Sequence, residues 1–219
     1  QLDQDPWLFN CANGMIDLKT GELLAHDRSR LQSKASPVEY DPNAGCPQWI
    51  SFLDRIMAGK KDLIDFLQQA AGYALTASTR EQCMFFLYGV GANGKSTFLN
   101  TLAEMLGDYA SATPASTLMV KKHEGIPNDI ARLKGLRFVM AAETEMGKAL
   151  AESLVKQMTG GDELVGRFLH GEFFQFTPQF KLFLATNHKP DIRGTDDGIW
   201  RRIRLIPFEV TIPEAERDK

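Results

Sequence analysis

Cysteine is scarce in this chain, with only Cys11, Cys46 and Cys83 in 219 residues. Their spacing pairs none of them, and Cys83 opens an apolar run of strand length. A disulfide scaffold is therefore excluded, and an intracellular chain with free thiols is the simplest expectation. Histidine is nearly as sparse (His26, His123, His170, His188), and no histidine or cysteine falls at metal-ligand spacing. There is no apolar run long enough to cross a membrane and no leader-like segment, so no membrane partner is expected. An excess of one charge is missing too: 25 basic against 28 acidic residues leave a net charge of −3. Any nucleic-acid contact must then be local. The chain begins with Gln1 rather than Met, which suggests a piece of a longer protein.

What the chain does have is material for a core, at 43% hydrophobic residues, enough for one large domain or one and a half. It also has Gly89-Val90-Gly91-Ala92-Asn93-Gly94-Lys95-Ser96, a Gly, four residues, Gly-Lys-Ser pattern. Before it runs Cys83-Met84-Phe85-Phe86-Leu87-Tyr88; after it, apolar residues at 98, 99, 102, 105 and 106 give a helix one buried stripe. Strand, glycine loop and helix together hold phosphate. Glycines let backbone N–H groups turn inward, and the helix dipole adds positive potential. Lys95 supplies a point charge for the β- and γ-phosphates of ATP, the Ser96 hydroxyl can ligate Mg²⁺, and Gly89 to Thr97 form the nucleotide cradle.

Around this stretch the coarse organisation is readable. Asn13-Gly14 and Lys19-Thr20-Gly21-Glu22 mark turns of a small N-terminal hairpin. Pro47 to Gly59 and Leu63 to Ala74 read as two helices, expected to pack or to make a subunit contact. Ala110 to Gly125 reads as loop, with Lys121-Lys122-His123 either a solvated charge run or a nucleic-acid contact. Asn128 to Lys134 reads as a short helix and Leu150 to Met158 as a longer one. Leu164 to Leu169 and Phe173 to Phe176 flank a turn at His170-Gly171-Glu172, and a basic entry, Trp200-Arg201-Arg202, leads into a last strand.

Two further apolar runs repeat the logic of the first. Phe138 to Ala142 stops at Glu143-Thr144-Glu145, and Leu182 to Ala185 stops at Thr186-Asn187. Unbroken apolar runs fit strands covered on both faces of a parallel sheet, whose ligands bind beyond the carboxyl ends of the strands. The expected fold class is α/β, a mainly parallel sheet flanked by helices (residues 81–219) behind a strand-and-helix region (residues 1–80). Carboxylates on the strand next to the phosphate loop can hold Mg²⁺ and polarise a water. Glu143 suits the first role, through water, and Glu145 the second. Asn187 can hydrogen-bond the γ-phosphate and the lytic water, or simply form a turn. Arg201 and Arg202 are candidates for a transition-state arginine, or for a basic strand edge. Arg167 and His170 suit phosphate-backbone contact, or a solvated hairpin tip.

These segments, with Lys156-Gln157-Met158-Thr159-Gly160-Gly161-Asp162 and Ala185-Thr186-Asn187-His188-Lys189-Pro190, occur in the order seen in superfamily 3 helicases. The match is closest to the helicase part of phage- and plasmid-encoded primase–helicases, related to the poxvirus primase–helicase. Asn13-Gly14, Tyr40-Asp41-Pro42 and Gly72-Tyr73-Ala74-Leu75 resemble the region that precedes the ATPase there. The resemblance implies an AAA+-like, ring-forming and usually hexameric ATPase that moves along single-stranded DNA in a bacterial host cytoplasm. It implies the acidic motif at Glu143 with Glu145, the sensor at Asn187, an arginine finger at Arg201 with Arg202 beside it, and a DNA-tracking hairpin over Arg167 to Phe174. Residues 1–80 would then be an oligomerisation collar, and a longer parent would carry primase and winged-helix domains. Two features depart from relatives: Thr144 separates the two carboxylates, and the hairpin tip carries one histidine and no lysine. Two rivals are an ATP-binding assembly scaffold with little turnover and a P-loop NTPase that does not act on DNA.

Overall fold

The computed structural model describes residues 2–121, 127–142, 148–189 and 191–217. Three short strands come first, β1 (Leu8–Cys11), β2 (Gly14–Asp17) and β3 (Glu22–Leu24), paired antiparallel in that order. The β2–β3 turn closes where the sequence places it, with the N–H groups of Thr20 and Gly21 donating to Asp17 O at 3.2 and 2.7 Å. Helices α1 (Pro47–Ile56) and α2 (Lys61–Leu75) follow. Pro47 sits in the first turn of α1, where its missing N–H would have had no intrahelical partner.

The central unit then runs β4 (Met84–Tyr88), α3 (Lys95–Leu106), β5 (Ala110–Ala112), α4 (Asn128–Ala131), β6 (Phe138–Ala142) and α5 (Glu152–Gly160). It continues with the hairpin β7 (Leu164–Arg167) and β8 (Phe173–Phe176), then β9 (Lys181–Thr186), α6 (Asp197–Trp200) and β10 (Ile203–Pro207). Five strands form one sheet in the order β10-β4-β9-β6-β5, with every neighbouring pair parallel. The expectation of a parallel sheet flanked by helices therefore holds. Two details differ. Residues 110–112, read as loop, form the edge strand β5. The strand ending at Ala142 is not next to the phosphate-loop strand, because β9 lies between them. Crossover geometry, rather than chain order, decides which strands become neighbours.

Alternation along the strands divides the interior in two. Phe85, Leu87, Phe138, Phe183 and Ala185 face a core shared with α1, α2 and α3. Met84, Phe86, Val139, Ala141, Leu182 and Leu184 face a second core with Leu118, Ile130, Val155 and Ile199. Phe183 stacks between Phe85 and Phe138 at centroid distances of 4.5 and 4.7 Å, and Trp49 of α1 stacks on Phe98 of α3 at 5.7 Å. The α1–α2 pair thus covers one face of the sheet. Among the described residues, no helix is long and apolar enough to cross a membrane.

The start of the sheet is tied to the N-terminal region by two buried cations. Arg137, only 2% exposed, donates to Leu75 O at 2.5 Å and Leu8 O at 2.6 Å and lies over the Tyr109 ring at 4.6 Å. Lys181, 1% exposed, donates to Thr76 O, to Gln179 O at 3.2 Å and to Ser78 O at 3.4 Å, with the Tyr73 ring 4.9 Å away. Leu75 and Thr76 close α2, where helix carbonyls lack intrahelical donors and favour a cation.

Candidate functional site

Residues 89–94 leave β4 and turn directly into α3, whose N-cap is Gly94. Gly94 has φ +86, and a Cβ on it would come within 2.6 Å of Ile56 Cγ2 and 3.1 Å of the Phe52 ring. Backbone conformation and the packing of α1 both demand glycine here. The loop, with the first residues of α3, lines a cavity of about 530 Å³. Its far wall is built from Ala142 at the end of β6 and from Ala185, Thr186, Asn187 and His188 at the end of β9.

The neighbouring strand ends explain that convergence. Tyr88 is in register with Thr186, and Ala142 with Ala185. The Gly89 N–H donates to Thr186 O at 3.3 Å, so Asn187 lies one residue past the base of the loop. Thr186 Oγ1 bonds both the backbone N–H of His188, at 3.2 Å, and His188 O, at 2.5 Å. This tight turn leaves the exposed Asn187 and His188 on the cavity rim. Lys189 lies over the Tyr88 ring at 4.5 Å. Sequence reasoning missed His188; the signal for it was its place directly after Asn187 in a turn-forming segment.

Lys95 is 6% exposed. Its Nζ donates to Gly89 O at 2.6 Å and Asn93 Oδ1 at 2.9 Å. Burial pushes its pKa below the ordinary lysine value. Ser96 and Thr97 are exposed and face the cavity, as do Gly91 and Ala92. Val90, in contrast, is 79% exposed on the outside of the loop. Glu143 and Glu145 lie outside the described residues; Ala142, the residue before Glu143, is on the cavity wall. Among the described residues no cluster of three or more His, Cys, Asp or Glu side chains could hold a metal ion by itself.

Arg201 and Arg202 stand elsewhere. They precede Ile203, which is in register with Met84, the first residue of β4, whereas the loop follows Tyr88, the last. The two ends of that five-residue strand are about 13 Å apart. Arg202 is buried and donates to Thr159 Oγ1 at 3.1 Å and Gly198 O at 2.5 Å. Arg201 is exposed, held at one end by Gln82 Oε1 at 2.8 Å.

The hairpin forms as expected, with Arg167 in register with Phe173. Arg167 Nε donates to Gly171 O at 2.9 Å and its guanidinium lies 4.8 Å from the Phe173 ring centre, so it staples its own tip. His170 is exposed at the tip with φ +61. Lys121, paired with Asp129 at 3.6 Å, lines one groove with Arg167, of about 860 Å³. Lys122 lies outside the described residues.

Residues 87–202 match the family of unknown function DUF5906, more than half of the chain, and the chain belongs to that family. Residues 1–58 match the D5 N terminal like family. Among curated proteins, a putative helicase, L207/L206, of Acanthamoeba polyphaga mimivirus is 30% identical over 94% of this chain and 22% of its own length. Putative helicase 121R of Invertebrate iridescent virus 3 is 27% identical, over 100% of this chain and 25% of the relative. Putative primase C962R of African swine fever virus is 26% identical, over 93% and 22%. The chain thus spans about a fifth to a quarter of the length of these relatives. The apo A-form structure of the NrS-1 C-terminal region superposes with a TM-score of 0.62 at 14% identity, over 80% of this chain and 40% of that one, which shows a shared fold.

Proposed function

We propose that this member of the DUF5906 family, similar to viral proteins with helicase and primase names, is the ATPase motor of a superfamily 3 DNA helicase with an AAA+-like core. One observation carries the reading: the glycine loop, the end of β6 that leads into Glu143, and Asn187 border a single cavity at one edge of a parallel sheet. The cavity suits a triphosphate. Its floor is backbone at the N-terminus of the 12-residue helix α3, and its volume falls in the range of small-molecule sites.

In this reading the loop amides of residues 91 to 96 hold the phosphates and Lys95 neutralises the β- and γ-oxygens. Ser96 would hold Mg²⁺, with Glu143 reaching it through water, and the metal would supply charge neutralisation at the phosphates. Glu145 orients the attacking water, and Asn187 hydrogen-bonds water and γ-phosphate without adding charge. Arg201, exposed at the opposite edge of the sheet from its own loop, acts on a neighbouring subunit's nucleotide. Arg202, committed to Thr159 and Gly198, supports the turn that carries Arg201. Subunits assemble into a ring, and His170, with the groove shared by Arg167 and Lys121, contacts single-stranded DNA.

The test is ATP turnover with and without single-stranded DNA, for the wild type and Lys95→Ala, with the assembled mass measured under the same conditions. DNA should raise wild-type turnover several-fold, and Lys95→Ala should reduce it to background. Binding without turnover would make the protein an assembly scaffold. Turnover indifferent to DNA would move it to the NTPases that act elsewhere.

A further inference from the structure

Asn93 occupies the middle of the glycine loop, where an exposed side chain facing the ligand would be the ordinary expectation. It is 3% exposed instead, and its carboxamide is taken up by bonds to the protein. Nδ2 donates to Val90 O at 2.5 Å and to Phe208 O at 2.9 Å, while Oδ1 accepts from Lys95 Nζ at 2.9 Å. Phe208 is the first residue past β10. That strand end presses on the base of the loop. A Cβ on Gly89, which has φ +153, would lie 2.9 Å from Phe208 C and 2.8 Å from Asn93 Nδ2. The segment beyond it is also attached, since the Ile212 N–H donates to Ala92 O at 2.7 Å and Ala92 has φ +61.

The chemistry of these contacts selects an amide. Two carbonyl oxygens on one side require a donor, and an ammonium on the other requires an acceptor; Asn offers both from one planar group. Of the three N–H bonds of Lys95, one goes to Asn93 and one to Gly89 O, which leaves the third for the cavity. Resting on the nucleotide-binding reading above, we propose that Asn93 is a positioning residue that pins the Lys95 ammonium, and the loop beneath it, to the carboxyl end of β10. Arg201 lies two residues before the other end of that strand, so the strand that tethers the lysine of one site also leads back to the arginine offered to the next.

Replacing Asn93 tests this, because its two obvious variants fail differently. Asn93→Ala removes the tether; Asn93→Asp keeps the shape, sets a carboxylate against two carbonyl oxygens and captures the ammonium in an ion pair. Equilibrium titration with MgATP, scaled to folded protein, should show the dissociation constant rising about tenfold for Asn93→Ala, the loss of one hydrogen bond to a charged group. Asn93→Asp should weaken binding further, by about a hundredfold, since the lysine charge is then withdrawn from the phosphates. In a Lys95→Ala background, Asn93→Asp should add much less than its hundredfold single effect, a non-additivity that a merely structural residue would not produce. Wild-type affinity in both variants, or equal and fully additive losses that track a fall in melting temperature, would overturn the proposal while leaving the nucleotide site intact. Absence of any Lys95-dependent binding in the wild type would overturn the site reading and this proposal together.

Discussion

Where the strands of the central sheet end, Lys95 is held by two loop oxygens and faces a cavity of about 530 Å³. Where they begin, Arg137, Lys181 and Arg202 are just as buried, but their donors are occupied by backbone carbonyls, a threonine hydroxyl and aromatic faces. Both edges hold cations away from water. What separates them is whether a donor is left over and whether a space adjoins it. The buried cations at the start of the sheet join pieces of structure, here β1 and the end of α2 to the starts of β6 and β9. Lys95 differs in having an N–H left over beside a cavity, which is the arrangement the proposed ligand site needs.

The sharpest break in this comparison is between the adjacent residues Arg201 and Arg202. Arg201→Ala should lower ATP turnover by about 10³-fold or more, the scale of a transition-state arginine, with MgATP affinity and melting temperature nearly unchanged. Mixing it with Lys95→Ala protein should restore part of the turnover, because each variant then supplies what the other lacks at a shared boundary. No recovery at any mixing ratio would place Arg201 outside the neighbour's site. Arg202→Ala should do the reverse and unfold more easily, with any lost turnover proportional to lost folded protein.

Next in size is Arg137→Ala. It removes charged donors from Leu8 O and Leu75 O and empties the space beside Tyr109, so denaturant unfolding should show a loss of roughly 3–5 kcal/mol. Nucleotide affinity per folded molecule should stay within about twofold if the two edges are separate, as sites without shared partners should be. A large change in affinity would mean that the starts and ends of these strands are coupled.

Lys181→Met refines the same point through pH. Burial, reinforced by the charge of Arg137, holds the Lys181 pKa well below the ordinary lysine value. Between that depressed native value and the unfolded one near 10.4, the unfolded chain binds the extra proton, so wild-type stability from this group rises with pH. The Tyr73 hydroxyl, pushed up to about 12 by burial, and the buried Cys83 thiol, also raised, act in the opposite sense in both proteins; losing the Lys181 charge, which lowers the Cys83 pKa, raises that thiol further in the variant and adds to its deficit at high pH. At neutral pH the variant should lose about 1–3 kcal/mol from the abandoned carbonyls. Its deficit relative to wild type should widen as pH rises from 7 toward 10. A deficit that does not change with pH would show that Lys181 stays charged on folding at no cost.

The difference between the edges also explains what could be read beforehand. The glycine-loop edge was legible because its elements announce themselves locally: an apolar run, a glycine pattern and a 3.6-residue stripe all lie within 24 residues, 83–106. The opposite edge was not. Arg137 and Lys181 are residue types that normally sit in water, and their carbonyl partners are more than 60 residues distant in sequence, at Leu8, Leu75 and Thr76. One weak clue was there, a cation immediately before each apolar strand, Arg137-Phe138-Val139 and Lys181-Leu182-Phe183. β5 escaped because Ala110-Ser111-Ala112 has neither β-branched nor aromatic residues and is held by β6 alone. The insertion of β9 between β4 and β6 depends on long-range packing that no local pattern encodes. In the loop itself, the glycine pattern located Asn93 without revealing that its side chain turns inward.

The smallest effect belongs to the hairpin, which lies at neither edge. Arg167 is held against its own hairpin by Gly171 O and the Phe173 ring, and Phe168 and Leu169 at the tip are 48% and 63% exposed. His170 is therefore the tip's polar group free for a nucleic-acid backbone. Its φ of +61 strains any non-glycine residue, so glycine would mix loss of the imidazole with a relaxed turn. His170→Ala keeps that backbone cost and isolates the contact. Basal ATP turnover should be unaffected, while single-stranded DNA affinity at low salt falls about two- to fivefold, the scale of one exposed polar contact. The difference should shrink as salt is raised. Unchanged affinity at every salt concentration would leave Lys121 and the groove beside Arg167 as the surface that meets DNA.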